Sequence, residues 1–264
     1  MEFFVGIIVL LIIFLLYILV LVRPKKREVD KESLVCNYAH RGLHSETVPE
    51  NSLEAFSLAI ENGYGIELDV QLSKDGEVMV FHDYTLTRMT GVEKKLNDLT
   101  KDELKTLTLK NTSEAIPTLE EVLTLVDGKV PLLIELKGED LDTRLCEKAA
   151  NRLKAYKGKY CIESFNPLLI RKMKNFLPNA FYGQLYTNVC REHGFNIINA
   201  LLTCMALNFL SNPDFIAYNK VDRNSFPVKL TTKFYKAPRF VWTLKTAEEM
   251  NDAKKFGECA IFEK

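Results

Sequence analysis

From Leu34 onward, short apolar segments alternate with amphipathic segments, and this alternation restricts the chain to a small set of folds. Strands that alternate with helices form parallel β–α units, which assemble as an open doubly wound sheet or as a closed barrel. We predict strands at 34–40, 65–71, 77–82, 131–136, 160–165, 181–186, 214–218, 239–243 and 259–262. We predict helices at 52–62, 118–127, 141–157, 167–175, 198–210 and 246–256, the first with a capping-box-like start at Asn51.

One pair of these predicted strands does not fit a regular barrel. The four residues Ser73-Lys74-Asp75-Gly76 have the composition of a tight turn, which joins strands as an antiparallel hairpin and not as a β–α crossover. We therefore expect one strand of the pair to lie outside a regular barrel, or the barrel to be irregular there. The segment that follows, 83–117, is polar and poorly periodic, and we interpret it as an insertion.

The N-terminus carries an uncharged apolar run at 3–22. A helix of about 20 residues spans roughly 30 Å, the thickness of the hydrocarbon core of a bilayer. A cleaved signal peptide would have basic residues before a shorter run and a small-residue cleavage site after it. Here no Lys or Arg precedes the run, and a basic cluster follows it, namely Arg23, Lys25, Lys26, Arg27 and Lys31.

These flanks predict a retained anchor and its orientation. We expect a transmembrane anchor at 1–22, a basic juxtamembrane linker at 23–33 and one domain at 34–264. Because basic flanks stay in the cytoplasm, we predict a single-pass protein of the cell membrane with its domain on the cytoplasmic side. The membrane lipid bilayer is therefore an expected partner, and anionic lipids would add to the attraction.

Composition limits the classes of partner further. Lys plus Arg and Asp plus Glu both number 35, so the formal net charge is zero. Nucleic-acid binders usually carry a basic excess, and we expect no nucleic-acid partner. A small anionic substrate stays open, since one pocket needs only a few basic groups. The six cysteines show no CxxC pair and no zinc-site spacing, which favours free thiols.

Three acidic residues interrupt apolar predicted strands. Glu67 and Asp69 are two positions apart on one strand, so their side chains share a face. Glu135 ends another apolar strand, and Lys137 follows two residues later. Buried carboxylates repel one another unless a cation holds them, and Mg²⁺ and Ca²⁺ prefer such oxygen ligands. The alternative is that each carboxylate forms a structural ion pair; three together on apolar strands favour the metal.

Two of the four histidines, His40 and His82, each close a predicted strand. A single histidine at a strand end is more often structural than catalytic. Imidazole titrates near neutral pH, however, so a pair can act as acid and base, and barrel active sites lie at the carboxyl ends of the strands. We interpret His40 and His82 as the candidate pair, and His44 and His193 as surface or loop residues.

Short motifs follow one another along the chain: His40-Arg41-Gly42, Pro49-Glu50-Asn51-Ser52, Ala55-Phe56, Glu67-Leu68-Asp69-Val70, His82-Asp83, Ile116-Pro117-Thr118-Leu119, Glu135-Leu136-Lys137, Glu163-Ser164-Phe165 and Trp242-Thr243. Jointly, and in this order, they resemble the motifs of the glycerophosphodiester phosphodiesterase family. The resemblance covers 34–186 and resumes at 239–257. Residues 187–235 match the family poorly. At 260–264 the sequence Ala-Ile-Phe-Glu-Lys stands where the family usually has a Thr-Asp pair, and this difference leaves closure of the barrel at the last strand to be established.

The resemblance implies a TIM (β/α)8-type barrel that hydrolyses a glycerophosphodiester to glycerol 3-phosphate and an alcohol. We interpret the polar segment 83–117 as an insertion on the catalytic face of this barrel. It also implies specific roles for the site residues. A divalent cation, Mg²⁺ or Ca²⁺, would lie on Glu67, Asp69 and Glu135, and His40 and His82 would be the acid/base pair. The expected substrate contacts are Arg41, Lys137, Ser164 and Trp242, of which Arg41 could alternatively form an ion bridge to a neighbouring carboxylate.

Two other functions remain open from the sequence. The anchor places the pocket near a bilayer, which favours a lysophospholipase D-type reaction on membrane lysophospholipids. Apolar residues in the insertion would support this reading, namely Leu86, Met89, Leu96, Leu99, Leu104 and Leu107. A non-catalytic barrel that only binds a phosphodiester or lipid is the second alternative, although loss of activity would be expected to remove a carboxylate or histidine first.

Overall fold

The computed structural model describes residues 2–25, 32–110, 112–138 and 142–264. Residues 26–31 of the predicted basic linker, which include Lys26, Arg27 and Lys31, and the predicted helix start at 141 lie outside the described residues. The strands are β1 (Tyr38–Ala39), β2 (Gly65–Leu72), β3 (Val78–Val80), β4 (Leu132–Leu136), β5 (Tyr160–Ser164), β6 (Phe181–Tyr186), β7 (Phe215–Asn219), β8 (Arg239–Leu244) and β9 (Cys259–Phe262).

Helices occupy the connections between these strands. They are α1 (Glu2–Leu16), α2 (Leu53–Glu61), α3 (Thr87–Thr90), α4 (Lys101–Lys105), α5 (Leu119–Val126), α6 (Arg144–Ala155), α7 (Pro167–Phe176), α8 (Val189–His193), α9 (Ile197–Thr203), α10 (Asn208–Ser211), α11 (Phe226–Lys229) and α12 (Ala247–Phe256). Single 3₁₀ turns lie at Glu32–Leu34, Leu96–Asp98 and Lys220–Asp222, and π-helical turns at Tyr17–Leu21 and Leu230–Phe234.

The strands close into a TIM-type barrel, which confirms the predicted fold class. Eight parallel strands follow the order β1-β9-β8-β7-β6-β5-β4-β2, and β1 pairs with β2 to complete the ring. The strand β3 pairs antiparallel with β2 outside the ring, as the hairpin turn predicts. The last strand does close the barrel, because Tyr38 is in register with Ile261 and Ala39 with Phe262.

Two helix predictions are wrong in detail. The cap of α2 is Ser52 and not Asn51: the Ser52 hydroxyl accepts the Ala55 N–H, whereas Asn51 has a positive φ of 54°. The predicted helix at 198–210 is two helices, α9 and α10. The chain breaks between them because Met205 adopts the left-handed conformation, with a φ of 54°.

The barrel interior has an apolar floor and a polar layer beside it. Rings of Phe181, Phe215 and Phe240 stack across the floor, with centroids 4.9 and 4.3 Å apart. Gly183 is required there, since a Cβ at this position would lie 2.1 Å from the Phe215 ring. Side chains two positions apart share a face, so the next inward residues along the strands form a layer toward the carboxyl ends. That layer carries the acidic residues discussed below.

The segment 83–117 forms a small hydrophobic core of its own together with β3. Its members are Met79, Phe81, Leu86, Met89, Leu96, Leu99, Leu104, Leu109 and Ile116, all buried. Leu107 packs against the same cluster. The apolar residues that could have favoured a lipid substrate therefore pack against one another, and all of them except the partly buried Leu107 are buried in this core.

The N-terminal apolar helix stands out from the domain, and its last residues pack along the side of the barrel. Residues Phe3–Leu21 are long and apolar enough to cross a membrane. The Tyr17 hydroxyl donates to the Cys204 carbonyl at 2.8 Å, and the Tyr235 hydroxyl donates to the Ile18 carbonyl at 2.7 Å. Val22 is fully buried in the main hydrophobic core.

Candidate active site

Three carboxylates meet at the carboxyl ends of β2 and β4. Glu67 and Asp69 project inward from β2, and Glu135 is in register with Asp69 on the neighbouring strand. All three side chains are buried, and each offers an oxygen within 4.8 Å of the others. Inward side chains recur at every second residue of a strand, and β2 and β4 are in parallel register. These two facts bring Glu67 and Glu135 close together, although 68 positions separate them in the sequence.

Two basic side chains lie against this cluster. The Lys137 ammonium is 2.7 Å from Glu135 Oε1 and 3.1 Å from Asp69 Oδ1. The Arg41 backbone N–H donates to Glu67 Oε2 at 2.8 Å, and its guanidinium Nε is 3.5 Å from Asp69 Oδ2. The ion pairing that stood as the alternative to metal binding is therefore present at Asp69 and Glu135, within the same site.

The charges in the cluster are only partly compensated. Burial, with the neighbouring Asp69 charge, raises the pKa of Glu67 well above its usual value. Burial also raises the pKa of Glu135, whereas Lys137 and Arg41 hold the pKa of Asp69 well below its usual range despite burial. An additional cation in this place would relieve the repulsion among the three carboxylates.

The donor set fits a hard divalent cation. It consists of oxygen ligands from rigid strands, buried and close to one another, with surplus negative charge. Glu67, Asp69 and Glu135 are the residues that would hold the ion. Asn51 Nδ2 donates to Asp69 Oδ2 at 2.9 Å and fixes the orientation of that carboxylate.

His40 follows β1 and is held by a residue that the sequence did not reveal. Its Nδ1 is 2.8 Å from Glu263 Oε1, and its Nε2 is 3.9 Å from Glu67 Oε2. The hydrogen bond from His40 holds the Glu263 pKa well below its usual value, and an ionised carboxylate only accepts. Nδ1 therefore carries the proton, and Nε2 is the nitrogen that faces the carboxylate cluster.

His82 has a similar arrangement two residues after the end of β3. Its Nδ1 is 2.6 Å from Asp83 Oδ1, so its Nε2 is likewise the nitrogen left for proton transfer. Burial lowers the pKa of both His40 and His82 below the usual value, and the carboxylate partners Glu263 and Asp83 counteract this in part. His44, predicted as a surface or loop residue, is in the loop after His40 and half-buried, 3.9 Å from Glu263.

A chain of ion pairs connects His82 to Arg41 around the rim of the site. Arg88 donates from Nε to Asp83 Oδ2 at 2.6 Å and from both terminal nitrogens to Glu50, at 2.8 and 2.7 Å. Glu50 also accepts from Arg41 Nη1 at 2.7 Å. From the sequence, Glu50 and Asp83 were identified only as members of motifs. Arg88 was not identified, because it lies inside the poorly periodic segment 83–117.

The two remaining predicted substrate contacts, Ser164 and Trp242, differ in whether their polar atoms form hydrogen bonds. The Ser164 hydroxyl is buried, donates to the Leu136 carbonyl at 2.7 Å and accepts the Asn166 N–H at 3.1 Å. Its bonds are thus to the main chain. The Trp242 indole Nε1 is buried without a hydrogen-bond partner, and its ring meets Phe165 edge to face at 5.7 Å. The Ser164 hydroxyl is therefore engaged with the backbone, whereas the Trp242 N–H has no acceptor among the described residues.

Glu163 is a fourth inward carboxylate, and its motif predicted no role for it in the site. Glu163 lies on β5 in register with Glu135 of β4, and its Oε2 is buried with no hydrogen-bond partner among the residues that the structure describes. Burial, together with the charge of Glu67, raises the pKa of Glu163 well above its usual value. Its strand position, two residues after inward Cys161, was the available signal.

The fold and site together define an α/β barrel with a carboxylate cluster and two carboxylate-paired histidines at the carboxyl ends of its strands. The model of the glycerophosphoryl diester phosphodiesterase family matches residues 40–263. This match covers most of the chain, and the chain belongs to that family.

Individual relatives agree with this assignment. A glycerophosphodiester phosphodiesterase from Caldanaerobacter subterraneus subsp. tengcongensis is 42% identical over 159 residues, which cover 56% of this chain and 65% of the relative. One from Bacillus altitudinis is 40% identical over 107 residues, covering 38% of this chain and 43% of the relative. The chain thus aligns with less than two thirds of the length of each of these relatives.

Solved structures cover more of the chain. The crystal structure of a glycerophosphodiester phosphodiesterase from Thermotoga maritima superposes with a TM-score of 0.67 at 29% identity, covering 86% of this chain and 94% of that one. A phosphodiesterase from Oleispira antarctica, solved in complex with the product sn-glycerol-3-phosphate, gives a TM-score of 0.70 at 23% identity, with coverage of 86% and 92%. The second likeness supports the fold alone.

Proposed function

We propose that this chain is a metal-dependent glycerophosphodiester phosphodiesterase, which releases glycerol 3-phosphate and an alcohol. The observation that carries the proposal is the meeting of three buried carboxylates with two histidines, each oriented by a carboxylate of its own. Family membership and the names of the relatives support the same reaction.

In this proposal, Glu67, Asp69 and Glu135 hold one divalent cation, Mg²⁺ or Ca²⁺. When bound, the cation supplies positive charge next to the phosphate oxygens. Arg41 adds a planar guanidinium suited to a phosphate. Its Nε is buried, 3.5 Å from Asp69 Oδ2, and makes no hydrogen bond within the described part of the chain, so it has a donor to offer while Nη1 remains on Glu50. Lys137 provides a further positive charge beside the cluster.

The histidines move the protons. One imidazole Nε2 takes the proton from the substrate's neighbouring hydroxyl as that oxygen attacks phosphorus, and the other donates a proton to the departing alkoxide. Water then opens the cyclic phosphate with the two roles exchanged. Glu263 and Asp83 each stabilise the imidazolium that forms beside them, because each accepts the Nδ1 proton.

The remaining predicted contacts serve the substrate in different ways. Trp242 is proposed to donate its indole N–H to the bound ligand, since that atom is buried without a partner. Ser164 is proposed to act next to the substrate by fixing the end of β5, since its hydroxyl is engaged with the backbone.

We further propose that Phe3–Leu21 anchors the chain in the cell membrane as a single span. Its length and hydropathy support a span, and the basic residues after it support a cytoplasmic domain. The domain in this proposal comprises 34–264, with 83–117 as an insertion that supplies Arg88 to the rim of the site.

A turnover assay tests the activity directly. The full chain in detergent is supplied with glycerophosphocholine and either Mg²⁺ or Ca²⁺, and glycerol 3-phosphate is measured. We expect product with one of these ions and none after chelation. Lysophosphatidylcholine serves as the matched comparison: hydrolysis of this compound alone would replace the proposed substrate, and hydrolysis of neither would contradict the proposal.

A further inference from the structure

The N-terminal helix descends along the barrel from the catalytic end toward the opposite end. Tyr17 stacks on Phe226, which follows the carboxyl end of β7, with ring centroids 6.4 Å apart. Eight residues later, the Lys25 N–H donates to the Pro213 carbonyl at 2.8 Å, just before β7 begins. In between, Asn208 Nδ2 donates to the Val22 carbonyl at 3.0 Å. The part of the helix before Tyr17 therefore lies beyond the catalytic end.

The apolar span overlaps with these contacts. Tyr17 lies four residues before the end of the span at Leu21, which corresponds to about 6 Å along a helix. The ring of Phe226 packs against Tyr17 while more than half of its surface stays exposed. A surface of the domain thus lies at the depth at which the helix enters the hydrocarbon region.

Around this point the catalytic end carries further exposed apolar side chains. Phe195, Ile197 and Ile198 lie in the connection that leaves β6, and Val221 and Phe226 in the connection that leaves β7. We call these five residues the apolar rim. Phe195 is 83% exposed, and Ile197 and Val221 are 69% and 65% exposed, which is unusual for large apolar side chains grouped at one end of a domain.

We propose that the apolar rim rests in the surface of the lipid bilayer that holds the N-terminal helix, so that the mouth of the barrel faces the membrane. The inference builds on the proposed membrane anchor. Two observations favour lipid as the occupant: the rim is continuous with the apolar helix through the contact of Phe226 with Tyr17, and the helix leaves the domain at the same end as the rim. Apolar and aromatic side chains partition into that interface.

Tryptophan fluorescence in the full chain tests the proposal. The chain has a single tryptophan, Trp242, so the emission of an added tryptophan is obtained by subtracting the unsubstituted protein. The test variant is Phe195→Trp, and the control is Phe256→Trp at the end of α12, an exposed phenylalanine at the opposite end of the barrel. Each full chain is reconstituted into phosphatidylcholine vesicles with and without bromine-labelled acyl chains, and flotation confirms insertion.

We expect the added tryptophan signal of F195W to shift to shorter wavelength on insertion and to lose most of its emission with brominated lipid, whereas that of F256W changes in neither respect. Water-like, unquenched emission from F195W in floating vesicles would overturn the rim contact alone. A blue shift without bromine quenching would assign the rim to a protein partner and would also overturn it, as would equal quenching of both variants. Chains that do not float would overturn the anchor and the inference together. None of these readouts depends on turnover.

Discussion

Each candidate catalytic histidine is oriented through its Nδ1 by a carboxylate, and the two carboxylates come from different parts of the chain. Asp83 adjoins His82 in the sequence, but Glu263 is separated from His40 by 223 positions. Only closure of the barrel, which pairs β1 with β9, brings Glu263 beside His40. A sequence motif can therefore reveal the first partner, whereas the second depends on the fold.

We expect Glu263→Gln to lower kcat by about 10–100-fold, a range typical of residues that orient a functional group from outside. The amide can still approach Nδ1 but no longer stabilises the imidazolium, so the pKa of His40 falls further below its usual value. The pH–rate limb that belongs to His40 should consequently move to lower pH. Lys245→Ala removes the ion pair of Lys245 with Glu263, at 2.8 Å, and serves as the matched control.

The outcome is read from steady-state kinetics of both variants across the pH range. A Glu263→Gln enzyme with the turnover and pH profile of the unsubstituted protein would show that Glu263 does not act on His40. Equal losses in Glu263→Gln and Lys245→Ala would assign the effect to packing at the end of β9.

At the scale of elements, strand positions followed from the sequence better than helix ends did. A buried strand of a parallel barrel is a short apolar run between polar turns, and each of the nine predicted runs contains a strand. The run predicted at 34–40 is the least accurate, because its strand is only Tyr38–Ala39 and its first residue belongs to a 3₁₀ turn. Helix ends depend on single backbone conformations instead. Asn51 and Met205 both have positive φ, which local patterns do not reveal, so the start of α2 and the break before α10 were missed.

The candidate site likewise contains residues that strand geometry makes predictable and residues that no local pattern reveals. Glu67, Asp69 and Glu135 could be predicted to converge, because a period of two and a parallel register fix where inward side chains lie. Arg88 could not, because it reaches Glu50 from a segment with no clear period. The apolar residues of that segment were open to two interpretations, and only the structure shows that they form a core of their own.

The barrel floor yields a test of packing between elements. Gly183→Ala places a Cβ 2.1 Å from the Phe215 ring, and we expect it to lower the free energy of unfolding by about 1–3 kcal/mol, as overpacking does. Adding Phe215→Leu should recover part of this loss, so the double variant should be less destabilised than the sum of the two single variants. Chemical denaturation measures all three. Strict additivity would contradict the proposed clash.

At the scale of the whole molecule, the proposed orientation in the membrane depends on charge outside the span. We expect that moving the basic residues of 23–31 to positions before Phe3 places the domain on the other side of the membrane. A reporter fused after Lys264 detects the change of side. A control that replaces the same residues by neutral ones should give mixed orientation. A reporter that stays in the cytoplasm after the full exchange would contradict the charge-based orientation.

The central claim for the molecule is that two histidines act as acid and base beside a carboxylate-held metal. The most direct measurement compares kcat of His40→Ala, His82→Ala and the double variant. We predict that each single variant loses about 10²–10⁴-fold in kcat, with little change in KM. The double variant should be almost no worse than either, because both roles are needed in one turnover. Full activity in both single variants, together with an inactive Glu67→Ala, would contradict the account.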